Sequence, residues 1–310
     1  MPQVDRKSSR RQWLVDKHGI LDSRYLPDDD FETQWKAIII DQDSKDELLS
    51  HGILNFTLRP RVPRALIPLH GILLLVGPPG TGKTSLARGL ASRIASSVKG
   101  LGDFRYLEVE PHALASAALG RSQKSVTELF GQTIAEHADG PLIVLLDEVE
   151  TLAASRSKMS LDANPIDVHR ATDAVLTQLD HLADTHKQLL FLATSNFPGA
   201  IDAALLSRAD LVRTIGLPNS EACQAILTST IAALAEVYPH LKALRMDTDI
   251  ASAANVCEGL DGRQIRKLVV SACARRKDLA LDPSSLTGLD VLEAAKAAKA
   301  EQGRLLENSP

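Results

Sequence analysis

The chain has 310 residues, 44% hydrophobic, 24% charged and 4% aromatic, with a formal net charge of −4, enough to bury one large core or two modest ones and giving no reason to expect nucleic acid as a partner. Cys223, Cys257 and Cys273 are scattered without metal-ligand spacing and read as free thiols in a reducing compartment. No apolar window reaches membrane-spanning length and no signal-peptide pattern opens the chain, so the expectation is a soluble, cytoplasmic protein.

Residues 1–32 are polar and turn-rich and read as an N-terminal extension. Its basic cluster (Arg6, Lys7, Arg10, Arg11, Lys17), interleaved with Trp13, reads either as a partner-docking or solvated tail or as an arm for a polyanion. Acids at Asp28, Asp29 and Asp30 favour the tail. A helix is expected over 44–54, ahead of a loop punctuated by Pro60, Pro63 and Pro68.

Strand-like and helix-like segments then alternate: 72–76, 83–96, 106–109, 123–137, 142–146, 166–182 and 189–194. That alternation predicts an α/β unit over 33–218, a parallel sheet covered by helices. Beyond Pro218 the text is Ala- and Leu-rich with helical spacing and capping signals, predicting a small helical unit over 219–310.

Between the first strand and its helix lies Gly77-Pro78-Pro79-Gly80-Thr81-Gly82-Lys83-Thr84-Ser85, a G-x-x-x-x-G-K-[ST] phosphate loop. Glycines let backbone N–H groups approach phosphate oxygens, and the helix N-terminus adds partial positive charge. Lys83 is placed to reach the β and γ phosphates of a nucleotide, and Thr84 to offer its hydroxyl to Mg²⁺. The strand 142–146 ends in Asp147-Glu148. Asp147 is suited to the Mg²⁺ shell, and Glu148 to polarising a water for attack on the γ-phosphate. The guanine-reading N-K-x-D pattern is missing, so ATP is the expected nucleotide. The next strand ends in Thr194-Ser195-Asn196, where the Asn196 amide can orient the same water. Arg208 and Arg263 each suit a γ-phosphate contact and equally suit a surface position.

Taken together, the phosphate loop, Asp147-Glu148, Thr194-Ser195-Asn196, Arg208 and Gly262-Arg263 resemble the AAA+ ATPases over about residues 33–300. The resemblance implies a five-stranded parallel sheet with a helical lid, and a ring, usually a hexamer. It also implies that Arg208 serves as a trans-acting arginine finger and Arg263 as a second sensor. Asp147-Glu148-Val149-Glu150-Thr151-Leu152, Arg156, Pro165, Asp167 and Arg170 narrow it, with 174–180, Ser207-Arg208-Ala209-Asp210 and 262–268. These look like the pachytene-checkpoint, or thyroid-receptor-interacting, branch.

Members of that branch remodel HORMA-domain proteins by pulling an N-terminal segment into the ring's pore. Bacterial relatives accompany HORMA proteins and cyclic-oligonucleotide synthases in antiphage defence, and the short N-terminal region here is similar to theirs. The resemblance therefore implies self-assembly, a HORMA protein with its synthase as partners, and neither nucleic acid nor membrane. Its first pore loop would carry Ala118 and Leu119 where unfoldases of the family usually carry an aromatic residue. Its second would carry Lys158 and Met159. A nucleic-acid motor on the same ATPase would call for a basic, aromatic-bearing groove, and an ATP-regulated scaffold would not need the Asp147-Glu148 pair.

Overall fold

In a computed structural model of the chain, residues 12–14, 19–110, 127–151 and 165–307 are described. The pore-loop positions Ala118, Leu119, Lys158 and Met159 lie outside them. The chain falls into two compact units, Met1–Gly77 with Lys83–Thr214, and Pro78–Gly82 with Ile215–Pro310.

The first unit is built on strands β1 (Ile20–Leu26), β2 (Ile72–Val76), β3 (Phe104–Val109), β4 (Leu142–Leu146), β5 (Leu189–Ser195) and β6 (Leu211–Thr214). They form one sheet in the order β1-β3-β4-β5-β2-β6. Strands β2 to β6 are the five parallel strands the sequence leads one to expect, with the fifth at Leu211–Thr214. The sixth corrects that expectation: β1 pairs antiparallel with β3, from within the segment read as an extension. Its sequence, Ile-Leu-Asp-Ser-Arg-Tyr-Leu, mixes apolar and polar residues on an edge strand, so no clean period appears. Asp22 takes the Arg24 guanidinium at 2.7 Å, and Trp13 Nε1 donates to the Arg24 carbonyl at 3.0 Å.

Every residue of β2, β4 and β5 is buried. Covered on both faces, such strands become continuous apolar runs, which is why they are the most legible elements in the text. The core between sheet and helices gathers Ile72, Leu107, Phe130, Val144, Leu179 and Phe191.

Helix α1 (Asp29–Ala37) starts at Asp28, whose carboxylate accepts from the N–H groups of Asp30 and Phe31. Helix α2 (Gln42–Thr57) starts in the same way at Asp41. Helix α3 (Lys83–Ser97) follows the phosphate loop, and a buried network fixes its position. Arg88 on α3 grips the carboxylate of Glu108 on β3 at 2.9 and 2.6 Å, and Tyr106 donates its hydroxyl to the same carboxylate at 2.8 Å. Of the expected helix over 123–137, the described part begins as a π-helix, Thr127–Ile134, and runs on as α-helix through 135–136. Helix α4 (Pro165–Thr185) crosses from β4 to β5.

The second unit is helical. Helices α5 (Ser220–Ala235), α6 (Thr248–Val256), α7 (Gly262–Ala274) and α8 (Gly288–Glu307) carry it, with α6 and α7 each packed against both α5 and α8. Asp261 opens α7 with a capping box: its carboxylate accepts from the N–H groups of Arg263 and Gln264, and Gln264 Oε1 accepts from the Asp261 N–H.

Candidate functional site

Strand register decides which side chains meet in the first unit. Val76 lies opposite Ser195, and Leu146 opposite Ala193, so the chain leaves β2, β4 and β5 at the same edge of the sheet. Gly77, Asp147 and Asn196 are the next residues along those strands or one beyond.

The phosphate loop turns on glycine. Gly77, Gly80 and Gly82 hold φ of 151°, 81° and 89°, a region that L side chains rarely adopt. Thr81 Oγ1 donates to the Pro78 carbonyl at 3.0 Å and closes the turn. Lys83, the first residue of α3, is buried, and its ammonium donates to the Gly77 carbonyl at 2.9 Å. Burial pulls the Lys83 pKa down, while the carboxylates of Glu150, Asp147 and Glu148 oppose that shift in that order.

Thr84 Oγ1 lies 2.9 and 3.1 Å from the two Asp147 carboxylate oxygens. The start of α3 and the end of β4 are thus tied across the sheet edge. Thr194 adds a second tie: its hydroxyl donates to Asp147 Oδ1, and the Glu148 N–H donates to Thr194 Oγ1 at 3.2 Å. Glu148 takes φ of 54°, uncommon for a side chain other than glycine. Such a conformation persists only where its surroundings hold it, and the Thr194 bond is one such hold.

Asn196 Nδ2 donates to Glu148 Oε1 at 3.4 Å, a long contact, and the Asn196 N–H donates to Glu150 Oε1 at 3.0 Å. Lys83, Thr84, Asp147, Glu148 and Asn196 therefore converge. Thr194 and Glu150 join them, although neither stands out in the sequence as a site residue. Thr194 joins through register, since Ala193 opposite Leu146 places it beside Asp147, and Glu150 joins through its bond to the Asn196 N–H; the motifs that contain them give neither a role.

Arg208 sits apart from this cluster. Its Nε and Nη2 donate to the two oxygens of Asp180 on α4 at 3.0 and 2.7 Å, and its Nη1 donates to the Ala204 carbonyl at 2.8 Å. Arg64 and His70 also approach Asp180, at 3.4 and 3.5 Å. The fork from Arg208 holds the Asp180 carboxyl below the usual carboxylate range. Arg263 belongs to the second unit, exposed in the first turn of α7. Pro79 is exposed and Ser85 half-buried.

The residues present fit a metal nucleotide. A threonine hydroxyl and one carboxylate face each other near a buried ammonium, a donor set that suits Mg²⁺. Among the described residues no three or more His, Cys, Asp or Glu side chains gather as a metal site of protein ligands alone. Among them, too, no helix is long and apolar enough to cross a membrane.

Residues 73–217 match the family described as ATPase family associated with various cellular activities (AAA). CD-NTase-associated protein 6 of Pseudomonas aeruginosa is 53% identical over 282 residues, covering 91% of this chain and 92% of that protein. Putative pachytene checkpoint protein 2 of Caenorhabditis elegans is 36% identical over 216 residues, and the chain spans 51% of its length. Among solved structures, C. elegans PCH-2 superposes with a TM-score of 0.74 at 29% identity, over 93% of this chain and 77% of that one. A chain of the E. coli MS115-1 HORMA:CdnC:Trip13 complex has a TM-score of 0.72 at 18% identity, over 90% of this chain and 95% of that one, a likeness of fold.

Proposed function

The chain belongs to the pachytene-checkpoint branch of the AAA ATPases, and from that membership we propose that it spends ATP to open a HORMA-domain protein and release it from a cyclic-oligonucleotide synthase. The observation that carries the reading is the convergence of Lys83, Thr84, Asp147, Glu148 and Asn196 where β2, β4 and β5 end. The relative named as associated with a CD-NTase, a nucleotidyltransferase, supports the choice of partner.

In this reading the loop from Pro79 to Ser85 cradles the phosphates of ATP with the backbone N–H groups of residues 80–85, and Lys83 donates to the β and γ oxygens. Thr84 and Asp147 would hold Mg²⁺, which would supply neutralising charge there. Glu148, oriented by Asn196, accepts a proton from the attacking water as its oxygen bonds to the γ phosphorus. The bond from that phosphorus to the β–γ bridging oxygen breaks, and ADP leaves with the electron pair.

Arg208 and Arg263 complete the site in the assembled ring, Arg208 from a neighbouring copy. Arg208 must then leave Asp180, an exchange of one carboxylate partner for phosphate oxygens of similar geometry. The ring works in the cytoplasm, and the pore positions Ala118, Leu119, Lys158 and Met159 contact the substrate segment. A small aliphatic pair at 118 and 119 suits brief pulling on a flexible terminus better than processive unfolding. Dismantling the complex silences second-messenger synthesis, which makes the chain a negative regulator of antiphage signalling.

Glu148→Gln tests the hydrolytic core. We expect ATP affinity within about threefold of wild type and turnover lower by at least about 100-fold, the scale of losing a general base. The ATP-loaded variant should also retain the HORMA protein on co-purification. Turnover at the wild-type rate would remove Glu148 from the role of base.

A further inference from the structure

We propose that Glu150 is a positioning residue of the hydrolytic site, its carboxylate fixing the backbone of Asn196 so that the Asn196 side chain meets Glu148. The proposal rests on the reading of Glu148 as the base and Asn196 as the group that orients it.

Glu150 lies in the 3₁₀ turn Val149–Thr151, immediately after the acid pair. That turn is anchored at both ends. Val149 is buried, and the Glu148 carbonyl accepts from the Thr151 N–H at 2.9 Å and from the Thr151 hydroxyl at 2.8 Å. From this anchored turn Glu150 Oε1 accepts the Asn196 N–H at 3.0 Å, and from Asn196 the side-chain amide returns to Glu148 Oε1. Glu148, Glu150 and Asn196 thus close a ring of contacts. The base and the residue that orients it are held by a third side chain that reaches across from β4 to β5.

The second carboxylate oxygen, Oε2, is buried and has no hydrogen-bond partner among the described residues. A buried unpaired carboxylate oxygen is costly, so an ordinary turn acid would swing outward to water. This one stays in. A charged acceptor makes the bond to a backbone N–H stronger than an amide would, which suits a strut whose displacement would move the base.

The test uses the full chain, measuring kcat at saturating ATP and Mg²⁺ and, separately, nucleotide Kd by titration. Glu150→Ala should lower kcat by about 10- to 100-fold, the scale of misplacing a reacting group by an ångström, with Kd changed less than about threefold. Glu150→Gln, which keeps an oxygen acceptor for the Asn196 N–H, should recover kcat to within about fivefold of wild type. Glu150→Asp, one methylene too short, should not. If Glu150→Ala fails to fold, the Gln and Asp variants carry the same comparison.

In an Asn196→Ala background, Glu150→Ala should cost less than about a further twofold, because its effect runs through Asn196. Equal losses in both backgrounds, wild-type turnover in Glu150→Ala, or a Gln variant as impaired as the Asp variant would each overturn the proposal. Glu148→Gln measured alongside separates the two readings: a hydrolysing Glu148→Gln removes the base itself. An inactive one beside an unimpaired Glu150→Ala removes only the strut.

Discussion

Lys83 is buried at the first turn of α3, within reach of the Gly77 carbonyl and under the influence of three carboxylates. A buried ammonium is retained only where charge compensates it, and the arriving phosphates would supply far more negative charge than a backbone carbonyl does. Lys83→Ala should therefore weaken ATP binding by about 10- to 100-fold, from roughly 1.5–3 kcal/mol for a charge-assisted bond. Titration with a fluorescent ATP analogue measures it, and unchanged affinity would count against the phosphate-loop assignment. The roles proposed for Lys83, Thr84, Asp147 and Glu148 were readable because a short motif and a strand ending in two acids carry them. Thr194 and Glu150 were not readable, because what gives them work is the pairing of β4 with β5 and a turn that aims one carboxylate back at a backbone N–H.

Among the elements, α3 matters most, since it carries Lys83 and Thr84 and is wedged between α1 and the sheet. Gly89 lets α1 approach closely: a Cβ there would lie 2.7 Å from Trp35 Cβ and 2.8 Å from its Cα and N. Helix α1 cannot easily retreat, because Ser92 Oγ bonds the Asp28 N–H and carbonyl at its start. Gly89→Ala should cost about 1–3 kcal/mol by overpacking, lowering the thermal midpoint by about 2–4 °C for each kcal/mol. Scanning calorimetry measures the shift, and an unchanged midpoint would mean that α1 reseats freely. The same elements show where sequence reading stops. The apolar runs of β2, β4 and β5 announce themselves, as does the capped start of α7. Edge strand β1 does not, because its buried Ser23 and its Asp22–Arg24 pair break the alternation that marks a half-buried strand.

Across the whole molecule, the sheet edge assembles the residues proposed for hydrolysis, while Arg208 of the same unit is forked onto Asp180. The role proposed for Arg208, now held by a carboxylate of its own chain, fits a site that is finished only when copies meet. The order of events proposed here is then assembly, transfer of Arg208 to the neighbour's nucleotide, hydrolysis at Glu148, and a pull on the bound protein. The most direct measurement follows a preassembled HORMA–synthase complex mixed with a substoichiometric amount of the full chain, Mg²⁺ and ATP, reading complex size and second-messenger output together. The account predicts that the complex comes apart and output falls only while ATP turns over, with Glu148→Gln leaving both intact. A complex that persists, still synthesising, through many rounds of hydrolysis by the wild-type chain would contradict it.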